Sequence, residues 1–190
     1  MDRLWTPWRY AYVSRTGADA RAGVPEELCG WPGDRHCVFC NLIAAADHAI
    51  ATGMQAPEAD RAAHIVHRAR HNYICLNAFP YTSGHVMVVP YAHQSSLAQL
   101  EADAAQEMMM LARHTEVVLR TAYRPEGLNL GMNLGEAAGA GIAGHIHLHV
   151  LPRWSGDTNF MTVTAETRVL PEMLDQTWQR LRDAFQQLEG

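Results

Sequence analysis

The sequence predicts an α+β fold in which short strands pair antiparallel beside flanking helices. Three observations carry that prediction. Short β-type runs and stretches of helical periodicity follow one another in mixed order along the chain. The links between neighbouring strand runs are too short for a helical crossover, which favours antiparallel pairing. At 190 residues, 48% of them hydrophobic, the chain is long enough for one well-buried domain and short for two.

The elements follow in order. Residues 14–36, "SRTGADARAGVPEELCGWPGDRH", are rich in Gly, Pro and Arg and read as a long loop, covering a site or joining an oligomer interface. Residues 38–46 begin a helix that fades into the Gly/Pro-containing stretch 53–57. Strands are expected at "HIVHR" (64–68), "NYICLNA" (72–78) and "HVMVVPY" (85–91), the last two separated by the turn-like "FPYTSG". Leu97, Leu100, Ala104, Met108, Leu111, Thr115, Val118 and Ala122 recur at three- and four-residue steps, the stripe of one amphipathic helix. Strands at "GLNLGMNLG" (127–135) and "GHIHLHVLPRW" (144–154) follow, joined by a glycine-rich loop. A final helix over about 171–188 carries Leu174, Trp178, Leu181 and Phe185 on one side.

Composition excludes several functions. The net charge of −5 with neutral histidine gives no basic face for nucleic acid. The N-terminus lacks the apolar core of a signal peptide, and no apolar run approaches a membrane span, so a cytoplasmic protein is expected. All 15 basic residues are arginine. Without lysine there is no Schiff base, no P-loop lysine and no kinase lysine, so phosphate must be handled by histidine, arginine, backbone amides or a metal. Four cysteines, Cys29, Cys37, Cys40 and Cys75, are too few for a disulfide framework, and "HCVFC" reads as a metal or redox pair.

The chemistry concentrates in "GHIHLHVLPRW". His145, His147 and His149 occupy alternate positions, with aliphatic Ile146, Leu148 and Val150 between and after them. Strand alternation sets the three imidazoles on one face. A core gives no reason for that, and charged imidazoles side by side would repel. By contrast His36, His48, His64, His67, His71 and His114 read as isolated surface or satisfied core residues.

Two chemistries compete for the three. A metal held by all of them converges poorly, since positions i and i+4 of a strand lie about 13 Å apart. The nearest carboxylates, Glu136 and Asp157, are not adjacent. A histidine nucleophile fits better. Neutral imidazole can attack phosphorus while protonated neighbours balance phosphate charge. Gly135, Gly139, Gly141 and Gly144 just upstream let the backbone approach an anion.

At this point the sequence resembles the histidine-triad superfamily, through "HIHLHVL" and the upstream "LNAFPYTSGHVMVVPYAH". With "CVFC" the resemblance covers roughly residues 37–160. "LWTPWRYAYV" (4–13) and "PRWSGDTNFM" (152–161) look like the bacterial branch that includes diadenosine tetraphosphate phosphorylases. The resemblance implies a five-stranded antiparallel sheet with flanking helices that forms dimers, as a homodimer or higher homo-oligomer. It divides the chain into an extension and loop (1–36), the triad domain (37–160) and a C-terminal extension with a helix packed on that domain (161–190).

Carried over by position, His147 is the nucleophile forming a nucleotidyl intermediate, with His149 and His85 flanking the phosphate. Asn77 matches the ribose-binding position, Phe39 and Leu42 the base pocket, and Asn133 a phosphate-side polar residue. Gly139 and Gly141 belong to the phosphate loop. Gly141 stands where many relatives carry Gln, Ser or Thr, which hands that contact to a backbone amide. Trp154 and "GDTNF" are candidates for the distal part of a dinucleotide, or a plain structural turn. Cys37, Cys40, His93 and His145 match a Cys2His2 set for structural zinc, which the chemistry itself does not require. The expected activity is cleavage of dinucleoside polyphosphates at an α-phosphate, with phosphate as acceptor. Hydrolysis by water, adenosine phosphoramidase activity and non-catalytic nucleotide binding are the alternatives. The partner is an adenine nucleotide, with neither nucleic acid nor membrane.

Overall fold

The computed structural model describes residues 22–157 and 172–189. The N-terminal "LWTPWRYAYV" motif and the end of "PRWSGDTNFM" lie outside the described residues. Five strands form one antiparallel sheet: β1 (Ile65–Arg68), β2 (Asn72–Leu76), β3 (Val86–Pro90), β4 (Gly127–Gly131) and β5 (Leu148–Arg153). Their spatial order is β1-β2-β3-β5-β4. Among the described residues four α-helices accompany it: α1 (Val38–Ala51), α2 (Ala56–Ala62), α3 (Ala102–Tyr123) and α4 (Leu174–Glu189). Among the described residues, no helix is long and apolar enough to cross a membrane.

Strand alternation divides the core in two. Ile74 and Leu76, Val86 and Val88, Leu148 and Val150 point to one face, where α3 and α4 supply Met108, Leu111, Leu119, Trp178, Leu181 and Phe185. Tyr73, Cys75, Met87 and Val89 point to the other, against Phe39, Ile43 and Ala46 of α1. The register pairs Cys75 with Met87 and Met87 with His149, so His149 belongs to the α1 face. Both faces being covered, β2 and β3 are buried along their whole length.

The predicted strands are all present, with changes at their ends. β5 begins at Leu148, not at 144. Upstream of it the chain bonds to the loop after β3 instead of to the ladder, through Ile146 N–H to the Gln94 carbonyl at 2.7 Å. The helix expected from Leu97 also starts later. Ser96 Oγ accepts the Ala98 N–H and closes a 3-10 turn at Leu97–Gln99, Leu100 is extended, and α3 begins at Ala102. The helix expected to begin over 38–46 and fade into 53–57 runs from Val38 to Ala51. Helix α2, with Pro57 in its first turn where a missing N–H costs nothing, starts within the Gly/Pro-containing stretch and is not expected from the sequence.

Polar contacts fix the edges. The free edge of β1 is covered by α4: Trp178 Nε1–H donates to the Ile65 carbonyl at 2.8 Å, and Arg182 to the Val66 carbonyl at 2.7 Å. Arg68 of β1 reaches Asp60 of α2 and Asp47 of α1, both at 2.7 Å, locking the two helices to the strand. Glu107 of α3 holds the β1–β2 turn, accepting the N–H of Arg70 and His71 and the Asn72 amide. Its burial acts to raise the carboxyl pKa, but those hydrogen bonds outweigh it and hold the value below 4.5.

Glu107→Ala should therefore destabilise the fold by about 1–2 kcal/mol at neutral pH in urea unfolding. Because the folded pKa is depressed, that contribution is complete above the ordinary value near 4.5 and disappears as pH falls through the folded value. The wild-type and variant stability curves should converge in acid.

Candidate active site and metal cluster

Across the α1 face runs a cavity of about 620 Å³. Successive strands are about 4.8 Å apart, so the three steps from β5 to β1 span about 14 Å. His149 of β5 marks one side of this path, Met87 of β3 and Cys75 of β2 its floor, and His64, just before β1, the other side. Phe39 and Leu42 of α1 form a wall.

The hydrogen bonds around the histidines assign their tautomers. His147 is buried, and its Nδ1 lies 2.8 Å from the carbonyl of His145. A carbonyl only accepts, so Nδ1 carries the proton and Nε2 the lone pair. His85 receives the Tyr81 backbone N–H on Nδ1 at 3.1 Å, which puts its proton on Nε2. That Nε2–H donates to His149 Nδ1 at 2.9 Å. His149 in its neutral form then carries its proton on Nε2. Its ring lies edge-on to His147, centroids 4.8 Å apart. The site thus sets an imidazole lone pair beside an imidazole N–H donor, a nucleophile and a hydrogen-bond donor for a group transfer.

Around these rings, Phe39 packs against His147 at 4.9 Å between centroids, and Tyr81 against His85 at 4.7 Å. Asn77 lines the cavity, with Nδ2 3.4 Å from His85 Nδ1 and Oδ1 accepting the Phe79 N–H. Gly141 lines it too. Asn133, Gly139 and Trp154 are not among its lining residues. Asn133 donates to the Gly139 carbonyl at 3.4 Å, and Trp154 sits edge-on to Tyr123. Several lining residues were not singled out from sequence: Tyr81, Met87, Ile142, His64 and the segment Gly23–Glu27. Met87 was accessible to the alternation argument, being two residues after His85 on the same face. The segment from Gly23 was not. It is tied to α1 by Asn41, whose Nδ2 donates to the Ala22 carbonyl and to Asp34 at 2.9 Å each.

Behind Phe39 the predicted ligand set assembles. One donor atom each from Cys37, Cys40, His93 and His145 falls within 4.8 Å of every other, so the cluster could hold a metal ion. His145 donates Nε2–H to the Pro90 carbonyl at 2.9 Å, which turns the lone pair of Nδ1 towards both sulfurs, 3.4 and 3.5 Å away. Cys40 Sγ lies 3.3 Å from His93 Nδ1. A tetrahedral ion with bonds of about 2.3 Å to sulfur and about 2.0 Å to nitrogen separates the two by about 3.5 Å, so the donor set fits zinc. Burial, aided by neighbouring His93 and His147, brings the His145 pKa down to about 4 despite the bond to Pro90. The ring is therefore neutral and able to ligate at neutral pH. Burial and the neighbouring Cys37 raise the Cys40 thiol to about 11, a proton that a bound cation would displace.

A HIT domain family model matches residues 58–156. The chain is 34% identical over 177 residues to an AP-4-A phosphorylase of Mycobacterium tuberculosis, covering 93% of this chain and 80% of that one. It is 27% identical over 128 residues to the protein hit of Bacillus subtilis, covering 67% and 78%. Among solved structures, a zinc-bound histidine triad family protein from Mycobacterium smegmatis superposes with a TM-score of 0.59 at 26% identity, covering 81% of this chain and 96% of that one.

The donor geometry predicts about one tightly held divalent ion per chain by elemental analysis. Cys37→Ser and Cys40→Ser should each lower both metal content and thermal stability, and a strong chelator should lower the stability of the wild type towards theirs. A metal-free wild-type protein of unchanged stability would refute the site.

Proposed function

The chain belongs to the HIT family, and from that premise we propose that it transfers a nucleotidyl group from a dinucleoside polyphosphate of the diadenosine tetraphosphate type to inorganic phosphate. The observation that carries this reading is the pair of tautomers at His147 and His149: a lone pair on one ring and a proton on the next, in the wall of a nucleotide-sized cavity. The 34% identity to the mycobacterial AP-4-A phosphorylase, over nearly the whole chain, supports the substrate class and the acceptor.

In the first step His147 Nε2 attacks the α-phosphorus. An N–P bond forms, the bond to the bridging oxygen breaks, and the nucleoside polyphosphate leaves as its anion, the His149 Nε2–H donating a hydrogen bond to the departing oxygen. The positive charge that develops on the His147 ring is spread onto the His145 carbonyl through Nδ1–H. In the second step a phosphate oxygen attacks the same phosphorus. The N–P bond breaks, the electron pair returns to Nε2, and the proton carried by the phosphate acceptor passes to solvent. Diadenosine tetraphosphate and phosphate give ATP and ADP. His85 keeps His149 in the donor tautomer throughout.

Asn77 serves the ribose, Phe39 and Leu42 the base, and the Gly141 backbone the phosphate, in line with their places in the cavity wall. Asn133, Gly139 and Trp154 would contact ligand only where it extends beyond that cavity. The Cys37, Cys40, His93 and His145 set is assigned to structural zinc; a bound ion would cross-link α1 to the segment carrying the triad. The reading takes the protein as a cytoplasmic homodimer. β4, a sheet-edge strand with Leu130 exposed, is the edge through which two half-sheets would join.

Two measurements test the proposal. His147→Ala should lower turnover by on the order of 10⁴-fold or more while AMP binding by calorimetry persists; full activity in that variant would sink the mechanism. Product analysis with diadenosine tetraphosphate should give ATP and ADP only when phosphate is supplied. AMP and ATP regardless of phosphate would make water the acceptor.

A further inference from the structure

His64 has a backbone and a ring that its place in the fold does not require. Helix α2 ends at Ala62 with Ala63 as its C-cap, so His64 is the next residue, the position where helices commonly turn left-handed. Its φ is +52°, and its N–H bonds to the Arg61 carbonyl at 3.0 Å. Its own carbonyl accepts the Leu76 N–H, which adds it to the end of β1. Glycine or asparagine adopts that conformation at less cost than an imidazole residue. Strained non-glycine residues concentrate where the side chain is used. The structural role is fully served by the main chain.

The ring lies in the cavity wall at the β1 side, three strands from His149. Its Nδ1 is buried and has no hydrogen-bond partner. An orphaned buried N–H is costlier than an orphaned lone pair, which puts the proton on Nε2. With Nδ1 sealed in the wall, a ligand meets the opposite edge of the ring and its N–H donor. The neighbouring walls carry apolar Leu42 and Met54 on the helix side and Cys75 on the strand side, and the exposed Glu58 and Arg61 of α2 also line the cavity. Apolar walls beside an imidazole N–H donor suit a flat heteroaromatic ring bearing nitrogen acceptors. If the phosphate lies at the triad, the base of the same nucleotide points towards this end.

We propose that His64 is a specificity-determining residue that donates a hydrogen bond from Nε2 to a ring nitrogen of a purine base. The inference rests on the nucleotidyl-transfer reading, because that reading sets the direction of the nucleotide in the cavity. It accounts for the left-handed histidine: side-chain recognition is kept at the expense of backbone comfort.

The test is calorimetric binding of AMP, GMP and CMP to the wild type, His64→Gly and His64→Asn, with thermal melts of all three proteins. Both substitutions suit a left-handed residue, so neither should lower Tm, and His64→Gly should match or exceed the wild type. Loss of one neutral hydrogen bond should weaken AMP and GMP about 5–10-fold in both variants and leave CMP within about twofold. Unchanged purine affinity in His64→Gly would overturn the proposal. So would an equal loss for all three nucleotides accompanied by a fall in Tm, which would make His64 a structural residue. If the wild type binds none of the three, the nucleotide reading of the cavity fails first and this inference with it.

Discussion

In the segment that leads into β5, the Pro90 carbonyl accepts Nε2–H of His145 at 2.9 Å, and the His145 carbonyl accepts Nδ1–H of His147 at 2.8 Å. These two bonds use opposite nitrogens of two rings only two residues apart. One ring is left with its lone pair on Nδ1, facing Cys37 and Cys40. The other keeps it on Nε2. A regular alternation of histidines thereby yields two different chemistries, a ligand and a base. Neither bond depends on a charged group, so the assignment survives changes in the protonation of residues farther along the cavity.

That pair of bonds requires the chain before β5 to leave the sheet ladder. Ile146 N–H goes to the Gln94 carbonyl, which brings the β5 lead-in against the loop carrying His93. The same departure completes the four-donor cluster and sets Phe39, between two of its cysteines in α1, against both His145 and His147. The metal cluster and the cavity therefore share a wall. Any movement of the N-terminal turn of α1 displaces Cys37, Cys40 and Phe39 together.

The far side of the cavity is built from elements with no such regularity. Asn41 pins the segment beginning at Ala22, α4 covers β1, and Arg68 ties α1 and α2 to the same strand. The site spans the sheet because the strands are covered by helices on both faces, and α1 and α2 leave one strip of the face open between them. The triad side is fixed by strand register, the opposite side by side-chain contacts between distant parts of the chain.

Much of this was legible in the sequence. Short β-type runs bounded by turn residues give the five strands, and alternation within them places His149 on the same face as Met87, because a strand's geometry is local. The stripes from Ala104 and Leu174 give α3 and α4 for the same reason. The donors Cys37, Cys40, His93 and His145 could be named because their residue types and order match a known ligand pattern. Tertiary structure alone decided which nitrogen of each histidine is basic, since that depends on carbonyls brought in from Pro90 and on how the lead-in bends. It alone put Gly23–Glu27 and His64 into the cavity wall and left Trp154 beside Tyr123. Those placements come from contacts between residues far apart in the chain, and periodicity carries no information about them.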